Sequence, residues 1–382
     1  MSIRKNLTLV FNHFEQEHLG KDVFLVPYYL GKQLGYEVSI VYEETKTNIN
    51  FPDEIKGVKL IPKRLIGNES TNFYIRNYRN LKYIAINAKK IDLLMCFHHT
   101  ALTELRVCLY KLFNPNGKVY VKLDLDKLKK TQESTNKIKR WFWRKILNSF
   151  LNKVDLLSCE TTQVYNQLKD TDIPSYQYGN KLLLMPNGFD EEQLKFYHLK
   201  EKEFDEKENL FITVARLGTP QKNTEMILEA ISKIDMRNWK FLLIGPIEDS
   251  FQNVIKEFYK SNPDKKESII FTGPIYEKKE LWEYYNRAKV FVLTSRWEGS
   301  PIVFPEAKRF RNYILSTNVG GFNDITENRK YGDVLEQNQP ELLALKLQNI
   351  IKGTIETNVY NNFNPIKISW EKQIELISNK LK

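Results

Sequence analysis

The sequence predicts an α/β protein made of two successive open sheets of parallel strands joined by crossover helices. Three observations predict it. Short apolar runs alternate with longer segments of helical period almost from end to end, the pattern of repeated strand-helix-strand units. The chain has 382 residues, more than one hydrophobic core usually organises, so two domains of ordinary size are expected. A charged stretch without sheet periodicity, EEQLKFYHLKEKEFDEKEN, follows Asp190 and separates the two series; it reads as a linker.

In order along the first half, the expected strands are LTLVF (7–11), VSIVYEE (38–44), IDLLMCF (91–97), KVYVKLD (118–124), VDLLSCE (154–160) and LLLMPN (182–187). A helix from about Lys21 to Leu34, stopped at Gly35, joins the first two. In the second half NLFITVARL (209–217), KFLLIG (240–245), SIIFTG (268–273), KVFVLTS (289–295) and YILSTNV (313–319) repeat the arrangement, with helices such as NTEMILEAISKI between them. The expected domains are 1–188, 189–365 and a terminal helix within 366–382, whose ISWEKQIELISNKLK places apolar residues at helical spacing.

With 42% hydrophobic residues, 13% of the total aromatic, the chain has enough apolar surface to fold, which excludes wholesale disorder. No apolar run reaches the roughly 18–20 residues a membrane span needs, and the opening LTLVF is too short for a secretory signal, so neither is expected. Cys96, Cys108 and Cys159 are odd in number and lack metal-type spacing, which suits a reducing, cytoplasmic setting. The net charge of +11 is unevenly divided: residues 1–190 carry +10 and the remainder +1. A basic first half attracts phosphates, whether of nucleic acid, an anionic membrane or a lipid-linked substrate.

Ligands of open parallel sheets bind beyond the carboxyl ends of the strands, which directs attention to two loops. Ala215-Arg216-Leu217-Gly218 followed by Gln221-Lys222-Asn223 sets two cations and a glycine turn at a helix start, a plausible diphosphate cradle. A solvated loop is an equal reading of that stretch alone. Glu298-Gly299-Ser300-Pro301-Ile302-Val303-Phe304-Pro305-Glu306 follows the strand KVFVLTS. A helix expected from near Ser300 would present its first amides to phosphate or sugar oxygens, with the two carboxylates accepting from sugar hydroxyls. Two glutamates eight apart are also common by chance.

The run from IIFTGPIYEKKELWEYYNRAKVFVLTSRWEGSPIVFPEA to NVGGFNDI, with VARLGTPQKN and LMPNGFD upstream, resembles the C-terminal half of glycosyltransferase family 4. These are retaining enzymes of the GT-B fold, two Rossmann-like domains facing a cleft. The resemblance covers residues 182–336 strongly and the first 180 weakly. It implies that Arg216 and Lys222 hold the donor diphosphate, Glu306 the ribose hydroxyls and Glu298 the donor sugar. Gly299, Ser300, Pro301 and Ile302 would supply amides, and Pro274, Ile275 and Gly20 would also face the donor. It implies no side-chain nucleophile, because the leaving phosphate assists attack on the same face.

Two stretches depart from the family. Ala307-Lys308-Arg309-Phe310-Arg311-Asn312 replaces a small-residue segment with bulky cations. Where relatives carry a histidine at the end of the strand corresponding to VYVKLDLD, this chain offers Lys122, Asp124 and Asp126. Asp124 and Asp126 also spell the Asp-x-Asp that holds a divalent metal in another glycosyltransferase fold. The cations of the second sheet already serve the leaving group, so no metal or other cofactor is expected. His98 and His99, after IDLLMCF, are candidates for the acceptor or sugar side, with packing and capping the rival reading.

Lys137, Arg140, Trp141, Phe142, Trp143, Arg144 and Lys145 interleave cations and aromatics at helical spacing. That suits a helix in an anionic membrane interface, or an amphipathic helix packed on its own sheet. The expected function is retaining transfer of a sugar from a nucleoside diphosphate sugar to a hydroxyl of a surface or lipid-linked glycan, by an enzyme peripheral to the inner face of the plasma membrane. The alternatives are a non-catalytic basic module that binds membrane or nucleic acid, and a nucleotide-sugar epimerase of the same fold. Nucleic acid is not among the expected partners of the first reading.

Overall fold

Apolar and β-branched runs build the central strands of a first sheet: β1 (Asn6–Val10), β2 (Glu37–Glu44), β5 (Leu93–Phe97), β6 (Lys118–Lys122) and β7 (Leu156–Cys159). Shorter or more polar segments close it: β3 (Glu54–Ile55), β4 (Val58–Arg64) and β8 (Leu182–Leu184). The order is β3-β4-β2-β1-β5-β6-β7-β8, parallel throughout except for the β3–β4 pair. The computed structural model describes residues 4–64, 75, 77–125, 141, 149–171 and 177–382. They form two units, Met1–Gly188 with Trp370–Lys382, and Phe189–Ser369.

The expected first helix spans Asp22–Leu34 and stops at Gly35. The terminal helix Trp370–Leu381 lies in the first unit, where Trp370, Ile374, Ile377 and Leu381 join a core that includes Val23, Val26 and Leu30. Each such side chain removed from water stabilises the unit by about 1.5–3 kcal/mol. Gln33 Nε2 donates to the Glu371 carbonyl at 2.6 Å, fixing the helix pair.

The second unit holds β9 (Glu208–Val214), β10 (Lys240–Ile244), β11 (Ile269–Gly273), β12 (Ala288–Leu293), β13 (Tyr313–Thr317) and β14 (Gly332–Leu335). All pairs are parallel, in the order β11-β10-β9-β12-β13-β14. Chain order reverses between β9 and β12, and a doubly wound sheet binds its ligand outside the carboxyl ends at that switch point.

Residues 191–209 are not a linker. They begin with the helix Glu191–Tyr197 and run into β9 within the second unit. The charges that suggested solvent are turned inward and matched. Glu191 is buried and pairs with Arg309, whose guanidinium also donates to Glu201 at 2.7 and 2.8 Å. Lys207 is buried, donating to the carbonyls of Phe310, Ala288 and Asn286 at 2.8–3.0 Å. The unusual cationic stretch after Glu306 is explained by the same contacts. Arg309 reaches Glu191 and Glu201, and Lys308 pairs with Glu327 over the Tyr331 ring. Asn312 donates to the carbonyls of Tyr285 and Ala288.

Candidate active site

The loop after β9 is shaped by two features of its sequence. Gly218 turns the chain at φ 85°, where a Cβ would lie 2.4 Å from Phe251, so no larger residue fits. Asn223 takes the left-handed conformation at φ 50° immediately ahead of the helix Thr224–Ser232. Gly218 N donates to Thr224 Oγ1 at 3.0 Å, closing the loop on its own helix.

The loop after β12 is bound to it from both sides. Thr294 Oγ1 donates to the carbonyls of Lys222 and Asn223, each at 3.0 Å, and Arg296 N to the Gln221 carbonyl at 2.7 Å. The Arg296 guanidinium donates to the Pro220 carbonyl, to Asn223 Oδ1 at 2.7 Å and to Asn338 Oδ1 at 3.2 Å. Gly320 admits the loop from behind: its own Cβ would fall 1.9 Å from the Gly299 carbonyl.

These two loops bring Arg216, Lys222 and Glu298 into one ring. Lys222 Nζ donates to Glu298 Oε1 at 2.5 Å. Gln221 Nε2 donates to Glu298 Oε2 at 3.3 Å and to the Trp297 carbonyl at 3.0 Å, while its Oε1 accepts from Arg216 Nη2 at 3.2 Å. Arg216 is exposed, whereas Lys222 and Glu298 are partly covered. The ring is thus a cation held open to solvent beside a second cation paired with a carboxylate. Such an arrangement is able to bind an anion, which would compete with Glu298 for the Lys222 ammonium.

Glu306 lies apart from that ring. It is buried on the helix Val303–Arg309, accepts from Trp282 Nε1 at 3.1 Å and pairs with Lys278. Burial, with the Glu306 charge beside it, pushes the Tyr285 phenol well above its ordinary range. The helix begins at Val303, not near Ser300: Pro301 has no N–H and drives Ser300 toward extended backbone, which delays the start. Gly299, Ser300, Pro301 and Ile302 are therefore a partly buried turn ahead of the helix. Pro274 is exposed and Ile275 half-buried after β11.

In the first unit, Gly20 is exposed with open space around its Cα. His99 is built into the structure: Nδ1 lies 2.7 Å from the Tyr178 hydroxyl, Nε2 lies 2.9 Å from Glu104 Oε1, and the ring stacks on Phe150. His98 is half-buried at φ 60°, its N–H bonded to the Lys122 carbonyl at 2.8 Å. Lys122 is fully buried between Asp22, at 2.6 Å, and Glu160, while Asp124 is exposed. Asp126 lies outside the described residues, as do Lys137, Arg140, Phe142, Trp143, Arg144 and Lys145; Trp141 is described and 58% exposed.

Lys278, Trp282, Gln221 and Arg296 complete the site without having been singled out as site residues by spacing. Only the placement of Gln221 in a loop of cations was a signal, because the other three reach the site through helix packing or backbone contacts.

Residues 196–365 match the family of group 1 glycosyl transferases. A UDP-Gal:alpha-D-GlcNAc-diphosphoundecaprenol alpha-1,3-galactosyltransferase of Escherichia coli is 28% identical over 205 residues, 49% of this chain and 51% of that protein. The chain spans between 29% and 56% of the length of the curated relatives it matches. The sucrose-phosphate synthase of Thermosynechococcus elongatus superposes at a TM-score of 0.69 with 16% identity, covering 98% of each chain. Anabaena HepE, solved in complex with UDP and glucose, superposes at 0.63 with 14% identity over 98% of this chain and 100% of that one. These likenesses show the GT-B fold, and residues 196–365, which carry Arg216, Gln221, Lys222, Glu298 and Glu306, are similar to the group 1 glycosyl transferases.

Proposed function

We propose that the protein transfers a hexose from a UDP-sugar to a hydroxyl of a lipid-linked or surface glycan, with retention of anomeric configuration. The observation that carries the reading is the ring of Arg216, Gln221, Lys222 and Glu298 at the switch point of the second sheet. The second unit takes the nucleotide sugar and the basic first unit the acceptor. The galactosyltransferase relative and the UDP-bound structure support the choice of base and sugar class. As the bond from the anomeric carbon to the diphosphate oxygen breaks, Arg216 and Lys222 stabilise the growing negative charge. The acceptor oxygen bonds to that carbon on the same face, and its proton passes to the departing phosphate. Thermal stabilisation by UDP, followed by transfer from a panel of radiolabelled UDP-sugars to a lipid-linked acceptor, tests the reading. Absence of both would sink it.

Glu306 takes the ribose hydroxyls in this reading. Glu306→Ala is expected to weaken UDP binding by about 1.5–3 kcal/mol, the worth of hydrogen bonds to a charged acceptor. Calorimetric titration of the folded variant checks it, and unchanged affinity removes Glu306 from the site.

No metal is required in this reading, because the two cations do the work of one. Transfer is expected to persist in excess chelator. Its loss, restored by magnesium or manganese, would assign Asp124 and Asp126 a metal role instead.

The protein is further proposed to sit at the inner face of the plasma membrane through residues 137–147. Among the described residues no helix is long and apolar enough to cross a membrane. Replacing Trp141, Phe142 and Trp143 by Ser is expected to release the protein from anionic vesicles, whose attraction for it falls with salt over a screening length of about 10 Å at 0.1 M. Co-sedimentation decides: equal pelleting of a folded variant would assign the segment to packing.

A further inference from the structure

Two donors that reach Glu306 go to the same oxygen. Trp282 Nε1 donates to Oε1 at 3.1 Å and the Lys278 ammonium pairs with Oε1. Lys278 and Trp282 stand one turn apart on the helix Lys278–Arg287, with the ammonium 5.7 Å from the centre of the indole ring. Trp282 is fixed in turn by Phe189, at 4.6 Å between ring centroids, and by Tyr197, at 5.7 Å. Tyr285 on the same helix is also buried beside the carboxylate.

We infer that Lys278 and Trp282 are positioning residues for nucleotide recognition: they anchor Oε1 of Glu306 so that Oε2 is aimed at, and left to accept from, the ribose hydroxyls. The physical need is plain. A buried carboxylate without a cation favours its neutral form, which donates as well as accepts, and it is free to rotate about its last torsion. A cation and an indole N–H on one oxygen remove both freedoms before the ligand arrives, and preorganisation of that kind is what gives a buried acceptor its selectivity. Lys278 is partly exposed while Glu306 is not, so the ammonium covers the carboxylate on its wetter side at a modest desolvation cost.

The inference rests on the proposed role of Glu306, and the test separates the two. UDP and 2′,3′-dideoxy-UDP are titrated against the full chain, and the ratio of their dissociation constants is the readout. Wild type is expected to prefer UDP by on the order of tenfold or more, the worth of charge-assisted hydrogen bonds to the ribose. Glu306→Ala should bring the ratio close to one. Lys278→Met should compress it below about threefold, Lys278→Arg should restore it, and Trp282→Phe, which keeps the ring and removes the donor, should lower it partway. A Lys278→Met variant that loses affinity for both nucleotides in parallel, or keeps the wild-type ratio while Glu306→Ala collapses it, would overturn the inference alone. If Lys278→Met does not fold, the ratio in Trp282→Phe decides in the same way. No UDP binding by wild type, or a ratio indifferent to Glu306→Ala, would overturn the ribose reading and the inference with it.

Discussion

Lys222→Ala is expected to lower turnover by about two to three orders of magnitude at saturating donor and acceptor, the usual cost of removing one preorganised group from a developing anion. The ground-state diphosphate is already charged, but its bridging oxygen gains most of its charge only as the glycosidic bond breaks. An interaction that strengthens along the reaction is read in turnover rather than in the apparent donor constant. The variant has a second consequence particular to this site. Glu298, which accepts from Lys222 at 2.5 Å, would in the proposed reading face the diphosphate without its cation, so the donor would meet like charge. Arg216→Ala should act in the same direction and less severely, since Arg216 contacts Gln221 rather than the carboxylate. Steady-state kinetics with each variant checks this, and an effect confined to the Michaelis constant would mean that the two cations bind without catalysing.

Lys122→Met is expected to destabilise the first unit by about 3–5 kcal/mol, because it removes the cation that Asp22 and Glu160 share in a buried cluster. Wild type already carries an imbalance there, one ammonium against two carboxylates. Burial, with the charges of Asp124 and Asp22 added and Lys122 opposing, pushes the Glu160 carboxyl up to about 8 from an ordinary 4.5. The folded protein thus keeps a proton that an unfolded chain has lost at neutral pH. Stability from this group is complete below the unfolded value and is lost as pH rises through about 8. The melting temperature is expected to fall between about pH 5 and 8, and Glu160→Gln should flatten that slope. A slope that persists in Glu160→Gln would place the titrating group elsewhere. The cluster joins the ends of β6 and β7 to the start of the helix Asp22–Leu34, two residues after Gly20.

The alternation of strands and helices was legible in the sequence because both sheets are parallel and covered on their faces, so their central strands read as unbroken apolar runs. The edges were harder to read. VKLIPKR, which forms β4, alternates buried Val58 and Leu60 with exposed Lys59 and contains Pro62, a pattern of one wet face that imitates a loop. GDVL in β14 is too short to carry a period. The segment 191–209 was misread for a different reason: charge density reports polarity, and only the placement of Arg309 shows that Glu191 and Glu201 spend theirs on a buried guanidinium.

At the site, the sequence by itself determined which residue types stand at the carboxyl ends of the strands. Arg216, Lys222, Glu298 and Glu306 could be named because strand ends can be located from hydrophobic pattern, and ligands of such sheets bind there. Partnership is a property of distance, and distance across more than 70 residues of chain is set by the order of strands in the sheet. β9 lies beside β12, and for that reason Lys222 finds Glu298 and Arg296 clamps the chain from Pro220 to Asn223. The same holds for Lys122, a surface type by composition that tertiary packing seals between two carboxylates.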